Sequence, residues 1–459
     1  MKKFTILLLL SLTFTSVGCS DSLFENSEEE EIVSEEEIEE GGSNGSSSEH
    51  PNILLIIADD MSLDATPNYE DELYAKKPEM PILESLMDTG LVFDNLWSYA
   101  LCSPTRASIL TGKHGLHTDV LEPIHGELSG SHKSLQTYIN ENTNNAYATG
   151  VFGKWHLGAD ATHPTQTMGV GTYAGNTGGG VPDYWEYNLI ENEVSKKLSA
   201  TTDAERKENY STTKYTQLAI DWKSKQTKAW FLWLAYNAAH SPFHMPDSEL
   251  ISDVSIGRNE STLHKYLGML EAMDHEMGKF IGSMSDKEKA NTVIIFIGDN
   301  GTPRKVAQFT DTQKHGKGSV YQGGINVPMV IFGPGTRTGR EVKALVHTVD
   351  LFATIAEIAG VDVAKINNSH SFKTLLENED AESREYVYTE VPGSNDKGHY
   401  AVRNEKYKLI YEIDTGTKEL YNLVDDKYEV INIMLRDLSQ DEIDNLVSLE
   451  IEGKRVRGE

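Results

Sequence analysis

Several short segments of this chain combine residue types that could do chemistry. Asp59-Asp60 comes directly after the apolar run Asn52 to Ala58, and Asp299-Asn300 comes directly after Val293 to Gly298. Carboxylate and amide oxygens are hard ligands, so this set suits Ca²⁺ or Mg²⁺ rather than zinc. A third segment, Cys102-Ser103-Pro104-Thr105-Arg106, reads as a helix start in which Ser103 caps and Pro104 fits the first turn. Residue 102 then lies at the positive end of the helix dipole, where an anion is stabilised. The whole chain carries a formal charge of −30. That argues against nucleic acid as a partner and repels an anionic substrate at long range. Any anion site must therefore be a local cluster of Lys, Arg and His.

These groups need elements to hold them. Continuous apolar runs at Asn52 to Ala58, Trp230 to Tyr236, Val293 to Ile297 and Pro328 to Phe332 have the pattern of strands buried on both faces. Helical stretches fall between them at Met80 to Asp88, Thr213 to Lys225, Thr262 to Ser283 and Asp350 to Ala359. The alternation predicts an α/β fold: a large, mostly parallel sheet sandwiched by helices. Ligands in such sheets bind beyond the carboxyl ends of strands, which is where Asp59-Asp60 and Asp299-Asn300 fall. From about Ser383 the segments become short and aromatic, at Tyr386 to Glu390, Tyr400 to Arg403, Tyr407 to Ile413 and Glu419 to Leu423. They predict a small antiparallel sheet, closed by a helix near Asp441 to Ile451. Residues 49–382 are thus the expected catalytic domain and 383–459 a C-terminal subdomain.

The first 48 residues read differently. Lys2 and Lys3 precede an apolar run, Phe4 to Phe14, too short for a permanent membrane span. Ser16-Val17-Gly18-Cys19 resembles a bacterial lipoprotein cleavage site, making 1–19 a signal peptide and Cys19 the lipidated residue. Ser16 stands where Leu is usual, so simple secretion stays open. Residues 20–48 are Ser, Glu and Gly with almost no apolar content, and read as a flexible acidic tether. Asp21, Glu25 and Glu28 to Glu31 resemble the surface-export signals of Bacteroidetes lipoproteins, with a plain solubilising linker as the other reading. The expected location is the outer membrane or cell surface of a Gram-negative bacterium, otherwise the periplasm or medium. Membrane contact is expected only through a lipid at Cys19. With Cys19 and Cys102 as the only cysteines, the chain is no disulfide scaffold.

Cys102-x-Pro104-x-Arg106, continuing to Thr111-Gly112-Lys113, resembles the signature of type I sulfatases in the alkaline-phosphatase-like superfamily. Gly153-Lys154-Trp155-His156 resembles that family's Gly-Lys-Trp-His element, His240-Ser241-Pro242 its substrate-facing histidine, and Lys317 its sulfate-binding lysine. Val346 to Gly360 is similar to its His-x-x-Asp helix, and Arg403 to Ile410 with Leu420 to Leu423 to its C-terminal hairpin. Two positions depart from the pattern: Ser62 stands where Asp-Asp-x-Gly is frequent, and Gln322 where Glu is usual.

The resemblance implies hydrolysis of sulfate esters, with a sulfated polysaccharide or oligosaccharide as substrate. It implies formylglycine made from Cys102 by a formylglycine-generating or radical maturation enzyme. One Ca²⁺ would be held by Asp59, Asp60, Asp299, Asn300 and residue 102. Arg106, Lys154 and Lys317 would meet the sulfate oxygens while the hydrated aldehyde attacks sulfur. Asp299 would assist the attacking hydroxyl, His156 the remaining one, and His240 would protonate the leaving alcohol. The alternatives are a phosphate or phosphonate ester hydrolase of the same superfamily and a surface lipoprotein that binds sulfated glycan without turnover. Candidates for the substrate pocket outside this core are His114, His117, His125, His315 and the glycine-rich loop Gly169 to Gly180.

Overall fold

Every residue of Asn52–Ala58 is buried, as a strand covered on both faces requires. In the computed structural model this run is strand β1. The structure describes residues 50–459 except 70–74, 123–126, 254–260, 310, 312–313, 338, 340 and 394–397. Cys19, the acidic tether and His125 lie outside the described residues. The main sheet continues with β2 (Leu91–Phe93), β3 (Ala148–Lys154), β4 (Thr172–Asn176), β5 (Asn188–Glu191) and β6 (Val194–Lys197). Strands β7 (Trp230–Ala235), β8 (Thr292–Gly298), β9 (Met329–Phe332) and β10 (Glu341–Val342) complete it. The order is β10-β2-β9-β8-β1-β7-β3-β4-β5-β6. From β8 to β4 the strands run parallel, and the antiparallel pairs flank this block. The expected large, mostly parallel sheet is therefore present.

Alternate side chains of β1 feed two cores. Ile53, Leu55 and Ile57 pack into a layer with α2 (Cys102–Thr111) and α5 (Leu351–Ile358). Leu54, Ile56 and Ala58 pack into the opposite layer with α1 (Pro81–Thr89), α3 (Ser211–Lys223) and α4 (Thr262–Gly282). Each fully buried Ile or Leu contributes about 1.5–3 kcal/mol by removal from water, as an upper figure. The strand ends are thus a stiff platform. The amino end of α1 has no cap from its own Met80. Asp274 of α4 serves instead, accepting from the Ile82 and Leu83 amides at 3.0 and 2.8 Å.

The C-terminal sheet is formed by β11 (Val387–Val391), β12 (His399–Arg403), β13 (Tyr407–Glu412) and β14 (Lys418–Asn422), antiparallel and in chain order. One face packs Val387, Ala401 and Ile410 with Trp97 and Ile325 of the main body. The other packs Tyr400, Val402 and Leu409 under α6 (Gln440–Arg457). Helix α6 outruns the expected Asp441 to Ile451. A Ser439–Glu442 capping box starts it, and Gly458 in the left-handed region ends it. Its polar last turn is held by contact, with Gly453 lying against Tyr400.

Six of the ten strands lie outside the four apolar runs of the sequence, namely β2, β3, β4, β5, β6 and β10; β3 and β4, which border the site, are hidden because both contain glycine. Gly153, at φ +104°, lies so close to β7 that a Cβ would sit 1.9 Å from the Ala235 carbonyl oxygen. The expected loop Gly169 to Gly180 is consequently interrupted by strand β4 at Thr172–Asn176, which leaves Gly169 to Gly171 and Thr177 to Gly180 as loop. Among the described residues no helix is long and apolar enough to cross a membrane.

Candidate active site

Four parallel strands end at one place. β1 delivers Asp59 and Asp60, β8 delivers Asp299 and Asn300, β3 ends at Lys154, and β7 leads to His240. Backbone bonds fix the strand ends to one another: Asp299 N–H donates to Ala58 O at 3.1 Å and Ala239 N–H to Asp59 O at 2.8 Å. Asp60 takes a left-handed φ of 66°. Its amide reaches the Asp299 Oδ1 at 3.1 Å. Ser62, at the departure from the glycine pattern, is extended, so glycine is not needed there. Its hydroxyl donates to Asn326 O at 3.0 Å.

The carboxylates meet their counter-charges directly. Lys154 Nζ lies 2.6 Å from Asp59 Oδ2, with both side chains fully buried. Lys317 Nζ donates to Asp60 Oδ1 and approaches Cys102 Sγ at 3.4 Å. Burial pushes the Asp59 carboxyl up against the pull of Lys154, with Asp299 and Asp60 adding to the rise. Burial would raise Asp60 too, but Lys317 and His240 outweigh it and hold its carboxyl below the usual range. For Lys317 burial is opposed by Asp60 and the other acids, and the ammonium is held well above its ordinary range.

Cys102 is the first residue of α2, inside the helix and not, as expected, ahead of a Ser103 cap. Leu101 occupies the cap position without a side-chain bond. Ser103 lies inside the helix and donates to His156 O at 3.0 Å, tying the helix start to the turn after β3. Arg106 stands one turn after Cys102, on the same helix face. The family resemblance implies for it a place on the sulfate oxygens; in the structure its donors meet protein groups. It is wholly buried and donates to Asp299 Oδ2 from Nε and Nη2 at 3.0 and 2.8 Å. Its Nη1 donates to Lys154 O at 3.0 Å. Arg106 is a clamp on Asp299 and on the end of β3. Burial pushes the Cys102 thiol up, ahead of the opposing pull of Lys154 and Lys317, so as a cysteine it is protonated and inert near neutrality.

The donor set can be tested against a cation. Asp59, Asp60 and Cys102 bring ligand atoms within 4.8 Å of one another. Asp59 Oδ1 and Asn300 Oδ1 are buried with no hydrogen-bond partner, an arrangement that requires an explanation. Both are hard oxygens beside Asp60, to which Asn300 Nδ2 donates at 2.7 Å. These residues fit an oxygen-seeking dication.

Two histidines border the site, and a run of glycines presses on both. Burial, then Lys154, Arg106 and Lys317, bring His156 down to about 2, so its ring is neutral; it adopts φ 62°. Its Nδ1 is buried without a partner. His240 Nε2 lies 4.0 Å from Asp60 Oδ2, and its Nδ1 is 2.9 Å from Ser241 O. A Cβ at Gly179 would stand 2.5 Å from the His156 ring, and one at Gly180 would stand 2.9 Å from His240 Nδ1. Asn176, at the end of β4, holds this loop through Nδ2 to Gly178 O and Gly180 O, at 3.0 and 3.3 Å. Tyr215 OH in turn donates to Asn176 Oδ1 at 3.0 Å. Sequence reading named the loop but missed Asn176 and Tyr215, whose positions follow only from the β3–β4 pairing.

Other expectations fare differently. His114 is buried in an aromatic cluster, its Nδ1 2.7 Å from Tyr99 OH, and His315 is buried against Tyr321. His117 is exposed and bonded to Asn368. None of the three lines the cleft over Asp60, because each is committed to packing or to the surface elsewhere. Gln322 turns from the site: its Oε1 accepts from Trp97 Nε1 at 3.0 Å, and its amide donates to Glu429 at 2.6 Å. The carboxylate in that neighbourhood is Glu429, which pairs with buried Lys408.

Residues 51–361 match the family model described as Sulfatase, and residues 313–456 match the one described as N-sulphoglucosamine sulphohydrolase, C-terminal. A curated sulfatase of Formosa agariphila is 25% identical over 480 residues, covering 86% of this chain and 86% of that protein. Human N-acetylgalactosamine-6-sulfatase is 26% identical over 344 residues, 68% of this chain and 62% of that protein. The crystal structure of Ps i-CgsB in complex with k-i-k-neocarrahexaose has the same fold. Its TM-score is 0.72 at 24% identity, over 87% of this chain and 92% of that one.

Proposed function

From the premise that this chain belongs to the sulfatase family and is a sulfuric ester hydrolase, we propose that it desulfates a sulfated poly- or oligosaccharide, using formylglycine at residue 102 and one bound Ca²⁺. The observation that carries the reading is the meeting of Asp59, Asp60 and residue 102 within 4.8 Å, with Lys317 Nζ on Cys102 Sγ at 3.4 Å. Asp59, Asp60, Asp299 and Asn300 would hold the ion, which supplies positive charge to the sulfate oxygens. Formylglycine supplies a hydrated aldehyde, a nucleophile that can afterwards release sulfate by collapsing to the carbonyl. A buried, protonated thiol at the same position has neither property.

The chain's own side chains do the remaining work. Lys317 and Lys154 place ammonium groups beside residue 102, where negative charge grows during transfer. Arg106 keeps Asp299 in place. Neutral His156 is suited to exchange a proton with residue 102, and half-exposed His240, facing the cleft, to protonate the departing alcohol. Relatives bearing sulfatase names and the neighbour solved with an oligosaccharide support carbohydrate as the leaving group. Export with a lipid anchor at Cys19, and maturation by a formylglycine-generating or radical enzyme, belong to the same proposal.

The test is sulfate release from an activated aryl sulfate and a sulfated sugar, with peptide mass spectrometry of residue 102. Active enzyme should carry formylglycine, and Cys102→Ala should remove turnover while leaving the melting temperature unchanged. Full activity with an unmodified thiol would overturn the proposal. Release of phosphate in preference to sulfate would favour the phosphoesterase alternative.

A further inference from the structure

The cleft over Asp60 has a volume of about 870 Å³, more than one sulfate group fills. Its floor holds Lys317, Asp60 and His240, and its outer walls add Lys265, Arg304 and Lys305. Four Lys and Arg side chains thus line the cleft against one carboxylate, Asp60, in a chain with 41 Lys and Arg and 71 Asp and Glu. Asp60 is already paired with Lys317. Among the described residues no carboxylate forms an ion pair with Lys265, Arg304 or Lys305. One of these cations, Arg304, is also positioned. Arg304 Nη2 reaches Gly318 O at 3.4 Å, and Lys317 N–H donates to Thr302 O at 2.9 Å, so the turn carrying Arg304 is joined to the loop carrying Lys317. Across the cleft, half-buried Phe243 is braced edge-on by Tyr266 at 6.0 Å and offers an apolar wall on which a sugar ring can rest.

We propose that Arg304, Lys305 and Lys265 form a second anion subsite, which takes a further sulfate or carboxylate on the carbohydrate being desulfated. The inference rests on the function proposed above and narrows it: the substrate is a glycan with at least one other anionic group near the scissile sulfate. The cluster also answers the chain's overall charge of −30. A polyanion approaching that surface meets a local cluster of positive side chains at this mouth, and low-dielectric walls focus its field.

The experiment compares kcat/KM for four substrates: an aryl sulfate with a neutral phenol, a sugar monosulfate, the same sugar with a second sulfate, and that monosulfate linked to a uronic acid. Wild-type enzyme should prefer at least one doubly anionic sugar over the monosulfate, and added salt should shrink the preference. Whichever doubly anionic sugar gains identifies the second group. Arg304→Ala, Lys305→Ala and Lys265→Ala should each lower that preference about threefold to fivefold, chiefly through KM, as expected for partly exposed pairs. Aryl sulfate turnover should stay within about twofold, since these side chains do not reach the sulfur. If wild type treats singly and doubly charged sugars alike, or the variants lose all substrates equally, the subsite is refuted while sulfate hydrolysis stands. If enzyme carrying formylglycine releases sulfate from none of the four, the function itself falls and the subsite with it.

Discussion

Gly179→Ala should cripple catalysis without unfolding the protein. The Cβ added at Gly179 would lie 2.5 Å from both Cε1 and Nε2 of His156. Ordinary contact between such atoms is about 3.5 Å or more. The ring or the loop must therefore yield by about 1 Å, and the loop is held by Asn176. A displacement of that size at a reacting group costs about 100-fold, equivalent to roughly 2.7 kcal/mol on the barrier. The backbone at Gly179 is not left-handed, so alanine adds no strain of its own. Gly178 is the control: the nearest atom to its added Cβ is Gly180 O at 3.5 Å, an ordinary contact. Gly180→Ala, with its Cβ 2.9 Å from His240 Nδ1, should fall between them. The assay is kcat/KM for aryl sulfate hydrolysis by the three variants, with thermal melting as the check on folding. Equal efficiencies for Gly178→Ala and Gly179→Ala would refute the claim that the loop sets the position of His156.

His240→Ala should harm sugar sulfates more than activated aryl sulfates, because only a basic leaving alcohol needs the proton; equal losses would make His240 a sulfate ligand. Lys317→Ala should harm both substrate types alike. Chelation should abolish sulfate release, with Ca²⁺ restoring it and zinc not, and full activity in enzyme shown metal-free by elemental analysis would show the oxygen set misread. Burial brings the Asp274 carboxyl up to about 7, even though the Ile82 and Leu83 amides oppose the rise. Its folded form then holds a proton that the unfolded chain releases near 4, so its contribution to stability is full below about 4 and is lost as pH rises through about 7. Asp274→Asn should flatten that slope in urea unfolding measured from pH 4 to 8; an unchanged slope would assign it to other groups.

The sequence shows some parts of this molecule openly and conceals others for physical reasons. β1, β7 and β8 are continuous apolar runs, and a strand buried on both faces can hardly look otherwise, so the centre of the sheet and the acids at its ends are legible. β3 and β4 are not, since close backbone approach demands Gly153 and Gly175 and erases the apolar pattern. The contacts of Arg106 are not legible in the sequence, because a motif shows that an arginine is present, not which way it reaches. Only the fold shows that Asp299 lies behind it. His114 and His315 looked free in sequence for the same reason: burial among Tyr99, Tyr388 and Tyr321 is a tertiary fact. Asn176 has no sequence signal beyond its place before three glycines.

The buried charges at the strand ends cancel. Asp59, Asp60 and Asp299 are matched by Lys154, Lys317 and Arg106 in direct pairs, so the bare protein offers an anion no net attraction there. A dication at the same carboxylates would leave an excess of two positive charges and loosen the lysines' hold on their partners. Cation and sulfate would then be thermodynamically linked, each raising the other's affinity by one common factor, which for coupled sites is typically about 1–3 kcal/mol. The ion would act as a gate on binding as well as a participant in the reaction. Calcium titrated calorimetrically with and without free sulfate should display the same factor as sulfate titrated with and without calcium.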